Sequence, residues 1–210
     1  LDPTLTLQPG AADGLDTYIE SGFPDNNYVG RTFVTLGKYE NWDYCRTLIK
    51  FDLSTLPNAA VIASSQMTWM ITSHDGGGVA SLEAVGVFRQ KRVWTESGAT
   101  WNKYDGTNVW QAAGGFGADD SEQTALAAIA IDKAATGTVV WSLVAATKAA
   151  LDLGNGWIVK DATEPDSSSI DFASSDHATA AYRPKLVVEY ALPDAIFNRT
   201  FSRTFRGPFG

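Results

Sequence analysis

Short apolar, β-branched runs recur along the chain, each closed by Gly, Pro, Asn or Asp. This texture predicts strands rather than helices. The first runs are DTYIES (16–21), RTFVTLG (31–37) and RTLIKFDLS (46–54). In the third, Ile49, Phe51 and Leu53 fall on the face opposite Leu48, Lys50 and Asp52. AVIASSQMTWMIT (60–72) is long enough to cross a whole sheet. HDGGGVA (74–80), with three glycines, suits a loop or hairpin connection into SLEAVGVFRQ (81–90). GTVVWSL, NGWIVKD, SIDFASS and PKLVVEY complete a series of about nine strands, the texture of a two-sheet sandwich or jelly roll.

Helix is scarce. SLVAATKAALDLG (142–154) is the best candidate, with Gly154 placed as a C-terminal cap. EQTALAAIAIDKAATG (122–137) reads either as a short helix or as a strand. The fold expected is therefore an all-β, two-sheet sandwich of jelly-roll type over residues 1–192, with one short helix. Residues 193–210 form an aromatic and basic tail or linker. There Phe197, Phe201, Phe205 and Phe209 recur every fourth residue, with Arg199, Arg203 and Arg206 between them. Those seven residues are the candidates for docking onto a neighbouring subunit.

Composition narrows the function classes. A 44 % hydrophobic and 11 % aromatic chain of 210 residues can build a core without disulfides, and Cys45 has no partner to form one. The formal charge of −8 argues against nucleic acid as a partner. No stretch reaches the roughly 18 apolar residues of a membrane-spanning helix. His74 and His177 stand apart, each beside an Asp, and read as surface residues. Glu83, Glu96, Glu164 and Glu189 are the least trivial carboxylates, but none sits in a catalytic motif, so no enzyme is expected. Asp16, Asp25, Asn26 and Asn27 supply the hard oxygens that calcium takes, and a structural Ca2+ is expected if they converge.

The most unusual stretch is VWTESGATWNKYDGTNVW (93–110), with three tryptophans among polar residues. Trp and Tyr suit half-wet surfaces, where a sugar ring can stack on the aromatic face. Trp42, Tyr44, Trp101, Tyr104 and Trp110 stand in loop-like contexts. Trp69 and Trp141 read as core, and Trp94 and Trp157 as structural. Lys91, Arg92, Lys103 and Arg89 lie near enough to give an acidic chain a local basic groove.

DTYIES with FPDNNYVG, RTLIKFDLSTLP with AVIASSQMTWMI, VWTESGATWN, NGWIVKD and finally YRPKLVVEY occur in this order. Together they resemble the DNRLRE domain, a disaggregatase-related module, over roughly residues 15 to 190. The resemblance implies a jelly-roll sandwich and a non-catalytic module of extracellular, cell-surface or virion-surface proteins, some members being carbohydrate-binding. It also implies that Trp94 and Trp101 pin a crossover segment whose backbone Glu96 and Thr100 bond. Lys103, Tyr104, Asp105, Asn108 and Trp110, with Trp42, are left as the glycan-binding candidates. The expected partner is a polysaccharide, or neighbouring subunits if the chain is part of a virion or surface filament.

Overall fold

The computed structural model describes residues 2–38, 43–75, 81–132, 134–164 and 168–193. Eleven strands run through them: β1 (Thr4–Leu7), β2 (Leu15–Glu20), β3 (Phe33–Lys38), β4 (Tyr44–Lys50), β5 (Val61–Asp75) and β6 (Leu82–Arg89). Then follow β7 (Ala127–Ile131), β8 (Gly137–Ser142), β9 (Trp157–Asp161), β10 (Ser168–Ala173) and β11 (Lys185–Ala191). All pair antiparallel in the order β1-β11-β5-β10-β3-β4-β9-β6-β7, with β2 on β4 and β8 on β5. The sheet turns its corner at β3 and β4, whose backbone ladder is confined to Gly37–Cys45 and Lys38–Tyr44, with the Thr47 hydroxyl donating to the Thr35 carbonyl beyond it. Folded over this corner it becomes the expected all-β sandwich.

The core lies between the two layers and draws on both. Trp69, Trp141, Phe172, Leu186 and Met67 face Ile49, Val85, Val87, Trp157 and Val159. Its buried indoles keep their N–H groups bonded, Trp69 to the Ala173 carbonyl at 2.6 Å and Trp141 to that of Val85 at 2.9 Å. Cys45 is buried in this core, and its burial pushes the thiol pKa up.

Two sequence expectations shift. The helix over 142–154 contracts to α1 (Lys148–Leu151), because Ser142 stays paired in β8 and Leu143 continues the pairing by donating to the Ser65 carbonyl. Thr147 caps α1 by accepting the Ala150 amide. The ambiguous 122–137 stretch resolves as β7, whose Ile129 and Ile131 pack on the core. Beyond the expected strands, β1 adds a sheet edge through the period-2 pattern of TLTL, with Leu5 and Leu7 turned to the core.

The fold positions one feature for function. Between β6 and β7 the chain takes a long crossover, residues 90–126, over the outer face of the β2-β4-β9-β6 layer. Ile19, Leu48, Phe88 and Ile158 from that face form a second apolar cluster with Trp94, Ala99 and Trp110 from the crossover. Leu48 and Ile49 are therefore both buried, on opposite faces of one strand.

Candidate glycan-binding face

The crossover is held to the sandwich by polar pins. Trp94 lies in the second cluster and its indole donates to the Asn155 carbonyl at 2.7 Å. Asn27 donates to the carbonyls of Glu96 and Ala99, both at 2.7 Å. Asn102 donates to Asp25 at 3.1 Å, and its amide bonds the Pro24 carbonyl. Thr100 bonds the crossover backbone as expected, accepting the Lys103 amide at 3.0 Å. Glu96 does not: its carboxylate reaches off the crossover and accepts the Asp16 amide of β2 at 3.1 Å. Asp120, completely buried, accepts the amides of Gln111, Ala112 and Gly117 and so folds the distal turn.

The calcium candidates are thus distributed. Asp25 and Asn27 tie the 21–32 loop to the crossover, while the Asn26 amide closes a turn onto Phe23. Asp16 sits apart, with its Oδ2 accepting the Ser175 amide at 2.8 Å. Among the described residues, no three His, Cys, Asp or Glu side chains are grouped to hold a metal ion.

Five glycan candidates come together in the hairpin-like loop bridged by Lys103 and Val109. Trp110 is 4 % exposed, and its indole donates to the Thr100 carbonyl at 2.8 Å. It packs beneath Tyr104, ring centroids 5.4 Å apart, and offers no open face for a sugar. Asp105 accepts from the amides of Thr107 and Asn108 and from the Asn108 side chain. Those bonds, led by Asn108, hold its carboxyl below the usual range. Asp105 and Asn108 therefore shape the loop tip. Tyr104 is half-buried, with the Arg92 guanidinium 5.6 Å from its ring centre. Trp42 lies outside the described residues, as do the assembly candidates from Phe197 to Phe209.

The structure gathers Tyr44, Trp101 and Glu164 around Lys38, Arg46, Phe116 and Lys160, which the sequence did not single out. Arg46 of β4 stands 4.7 Å from the Trp101 ring centre and 5.9 Å from that of Phe116. Its Nε and Nη2 grip Glu164 at 2.6 and 2.9 Å, and Nη1 donates to the Gly114 carbonyl at 2.8 Å. Lys160 of β9 lies 3.6 Å from Glu164 and 4.7 Å from the Phe116 ring centre. Burial, opposed by the neighbouring Glu164, lowers the Lys160 pKa. Half-buried Tyr44 stacks on half-buried Trp101, centroids 6.5 Å apart and planes 18° from parallel, and Lys38 stands 5.1 Å from the Tyr44 ring centre. Cations and aromatics thus interleave in the order Lys38, Tyr44, Trp101, Arg46, Phe116 and Lys160, with Tyr44 and Trp101 in direct contact. By strand alternation Arg46 shares the outer face with Leu48, and Lys160 with Ile158. Their convergence on Trp101 depends on the path of the crossover, which no local pattern reports.

Three of the four candidate carboxylates have structural partners: Glu164 holds Arg46, Glu96 holds the Asp16 amide, and Glu189 accepts from Ser64 at 2.8 Å, while the Glu83 side chain lies outside what is described. Three grooves lie elsewhere, one of about 410 Å³ between Ile62, Gln66, Ser142 and Ala146 with no aromatic in its lining. A groove of about 400 Å³ between Leu15, Lys50, Asp52, Lys148 and Asp152 adjoins one of about 300 Å³ beside Gln8 and Thr55, and Phe51, the one aromatic in both linings, is buried.

Against known families, residues 10–190 match carbohydrate-binding module family 96. The chain belongs to that family. Carbohydrate-binding module families are non-catalytic binding modules. The match shows a carbohydrate-binding module, where the motifs had suggested the DNRLRE domain. It spans the whole crossover face and stops before Ala191, so β1 and the tail fall outside it. No curated protein matches the chain.

Proposed function

We propose that this family 96 module binds polysaccharide across the crossover face, with Tyr44 and Trp101 as the stacking platform and Tyr104 at its margin. The observation that carries the reading is the pair of nearly parallel, half-exposed rings backed by Lys38 and Arg46. Stacked aromatics meet the C–H face of a sugar ring, while the cations behind them, Lys38 buried and Arg46 engaged by Glu164 and Gly114, hold the two rings in place. The end grooves lack an exposed aromatic in their linings and rank below this face. Such a module works outside the cell or on a surface, where polysaccharides are met. The test is titration with neutral and anionic polysaccharides, using Trp101→Ala and Tyr44→Ala against Asp52→Asn in the end groove. Loss of binding in the first two alone supports this face. Loss only in Asp52→Asn moves the site to the groove.

A second reading rests on the Phe- and Arg-rich sequence after Pro193, which lies beyond both the sandwich strands and the family match. It makes the chain an assembly subunit of a virion or surface filament, attached through that tail.

A further inference from the structure

The last strand, β11, leaves the sandwich beside an apolar groove that glycan binding does not use. On one side of β5 the ladder to β8 ends at Gln66–Ser142. Leu143 still donates to the Ser65 carbonyl, and the next bond runs from the Ile62 amide to the Ala146 carbonyl. Between these bonds the segment bows away from β5, because Val144 gives its amide to Leu126, which is itself bonded to Val87 of the other layer. The bow opens the groove of about 410 Å³. Ile62 and Leu143, both buried, form its floor, and Ala63, Ser64, Ala145 and Ala146 line it with small side chains.

The border of the groove is aliphatic and open to water. Val144 is 81 % exposed and Val61 50 %. Leu192, at 55 %, directly follows Ala191, the partner of Val61 in the β5–β11 ladder. Exposed aliphatics gathered in this way mark a contact surface. Among the described residues no aromatic and no charged side chain lines the groove, so it offers a sugar neither a stacking face nor an ionic partner. An apolar side chain suits it.

The chain itself carries one within reach. Val61 pairs with Ala191 on one side and bridges Thr147 on the other, so the exit of β11 and the groove lie within two strand spacings, about 10 Å. Past Pro193, outside the described residues, the sequence continues Asp194, Ala195, Ile196, Phe197. The four residues from Pro193 to Phe197 span up to roughly 13–14 Å. A tether this short gives an effective concentration on the order of millimolar, so even a weak contact stays made without a second copy. We propose that the groove between β5 and the bow at 143–146 is the seat of the same chain's Ile196–Phe197 pair. Arg199, two residues on, then meets Glu189, which holds the groove residue Ser64 at 2.8 Å. Phe197 thereby belongs to the module, and Phe201, Phe205 and Phe209 are left to the assembly reading. The seat depends on neither glycan binding nor assembly.

The test is an engineered disulfide in the full chain, Ala146→Cys with Asn198→Cys, formed under diamide. Ala146 is exposed and tolerates the change, while Cys45 is buried with its thiol pKa pushed up and stays out of the exchange. Peptide mapping of the monomer should find the 146–198 bridge at least about tenfold above the 107–198 bridge of a Thr107→Cys, Asn198→Cys control, whose Thr107 sits at the crossover loop tip over the other layer. Adding Phe197→Ala, or Val144→Asp at the exposed border, should return the yield to the control level. A yield at that level from the start, or one that neither change lowers, overturns the seat. A bridge found only between chains also overturns it and gives the groove to a second copy's tail. A second measurement needs no cysteine: Phe197→Ala in the otherwise unaltered chain should lower Tm by roughly 2–4 °C. Should the cysteine variants not fold, an unchanged Tm in Phe197→Ala overturns the proposal.

Discussion

The Arg46–Glu164 pair is the joint most open to quantitative test. Arg46→Met keeps most of the stem volume but removes the fork to Glu164, the bond to Gly114 and the cation over Trp101 and Phe116. Breaking a fully buried ion pair costs about 3–5 kcal/mol, whereas an exposed one is worth about 0–1 kcal/mol. The two side chains are 11 % and 16 % exposed, so solvent screens them only in part. Their bidentate geometry then supports a coupling of about 2–3 kcal/mol. Lys160 stays near Glu164 in the Arg46 variant and softens the loss. Urea unfolding of wild type, Arg46→Met, Glu164→Gln and the double variant isolates the coupling as a double-mutant cycle. Glu164 also holds a left-handed backbone with φ 43, so Glu164→Gly regains about 1–2 kcal/mol relative to Glu164→Ala. A coupling below about 0.5 kcal/mol would mark the pair as a screened surface contact and refute its role as a clamp.

Two further outcomes follow from the packing and from the chain's end. Trp110→Ala should cost about 3–5 kcal/mol, lowering Tm by roughly 6–20 °C in thermal unfolding, because the ring is buried and its N–H bonded; a fall under about 2 °C would contradict its place in the core of the crossover. Truncation after Pro193 should leave the sandwich folded, since the last strand ends at Ala191, and should abolish self-association in sedimentation if the tail is an assembly element; an unchanged assembly state counts against that reading.

The strands were legible because their signal is local. Period-2 runs ending in Gly, Pro, Asn or Asp located ten of the eleven strands, one of them left open between helix and strand, and Trp69 and Trp141 read correctly as core. The short edge strand TLTL carried the same alternation but only four residues of it. The site was legible only in part, because a crossover obeys no period. That Trp110 is packed and Trp101 half-open depends on which side chains from β2, β4, β6 and β9 lie beneath each. Nothing in the sequence singled out Arg46 or Lys160, because only the path of the crossover brings Trp101 and Phe116 to them. Asp25 and Asn27, read as calcium oxygens, also pin the 21–32 loop to the crossover, a role the same amides and carboxylates can serve.

The central claim is that polysaccharide lies on the Tyr44–Trp101 platform. The most direct measurement is the affinity of wild type and Trp101→Ala for one panel of neutral and anionic polysaccharides, with circular dichroism confirming that both are folded. The wild type should bind at least one glycan, and Trp101→Ala should lose at least about tenfold, in line with the 1.4 kcal/mol or more that one stacked aromatic contributes at a binding hot spot. A folded wild type that binds none of the panel, or a Trp101→Ala variant that binds as tightly as wild type, would contradict it.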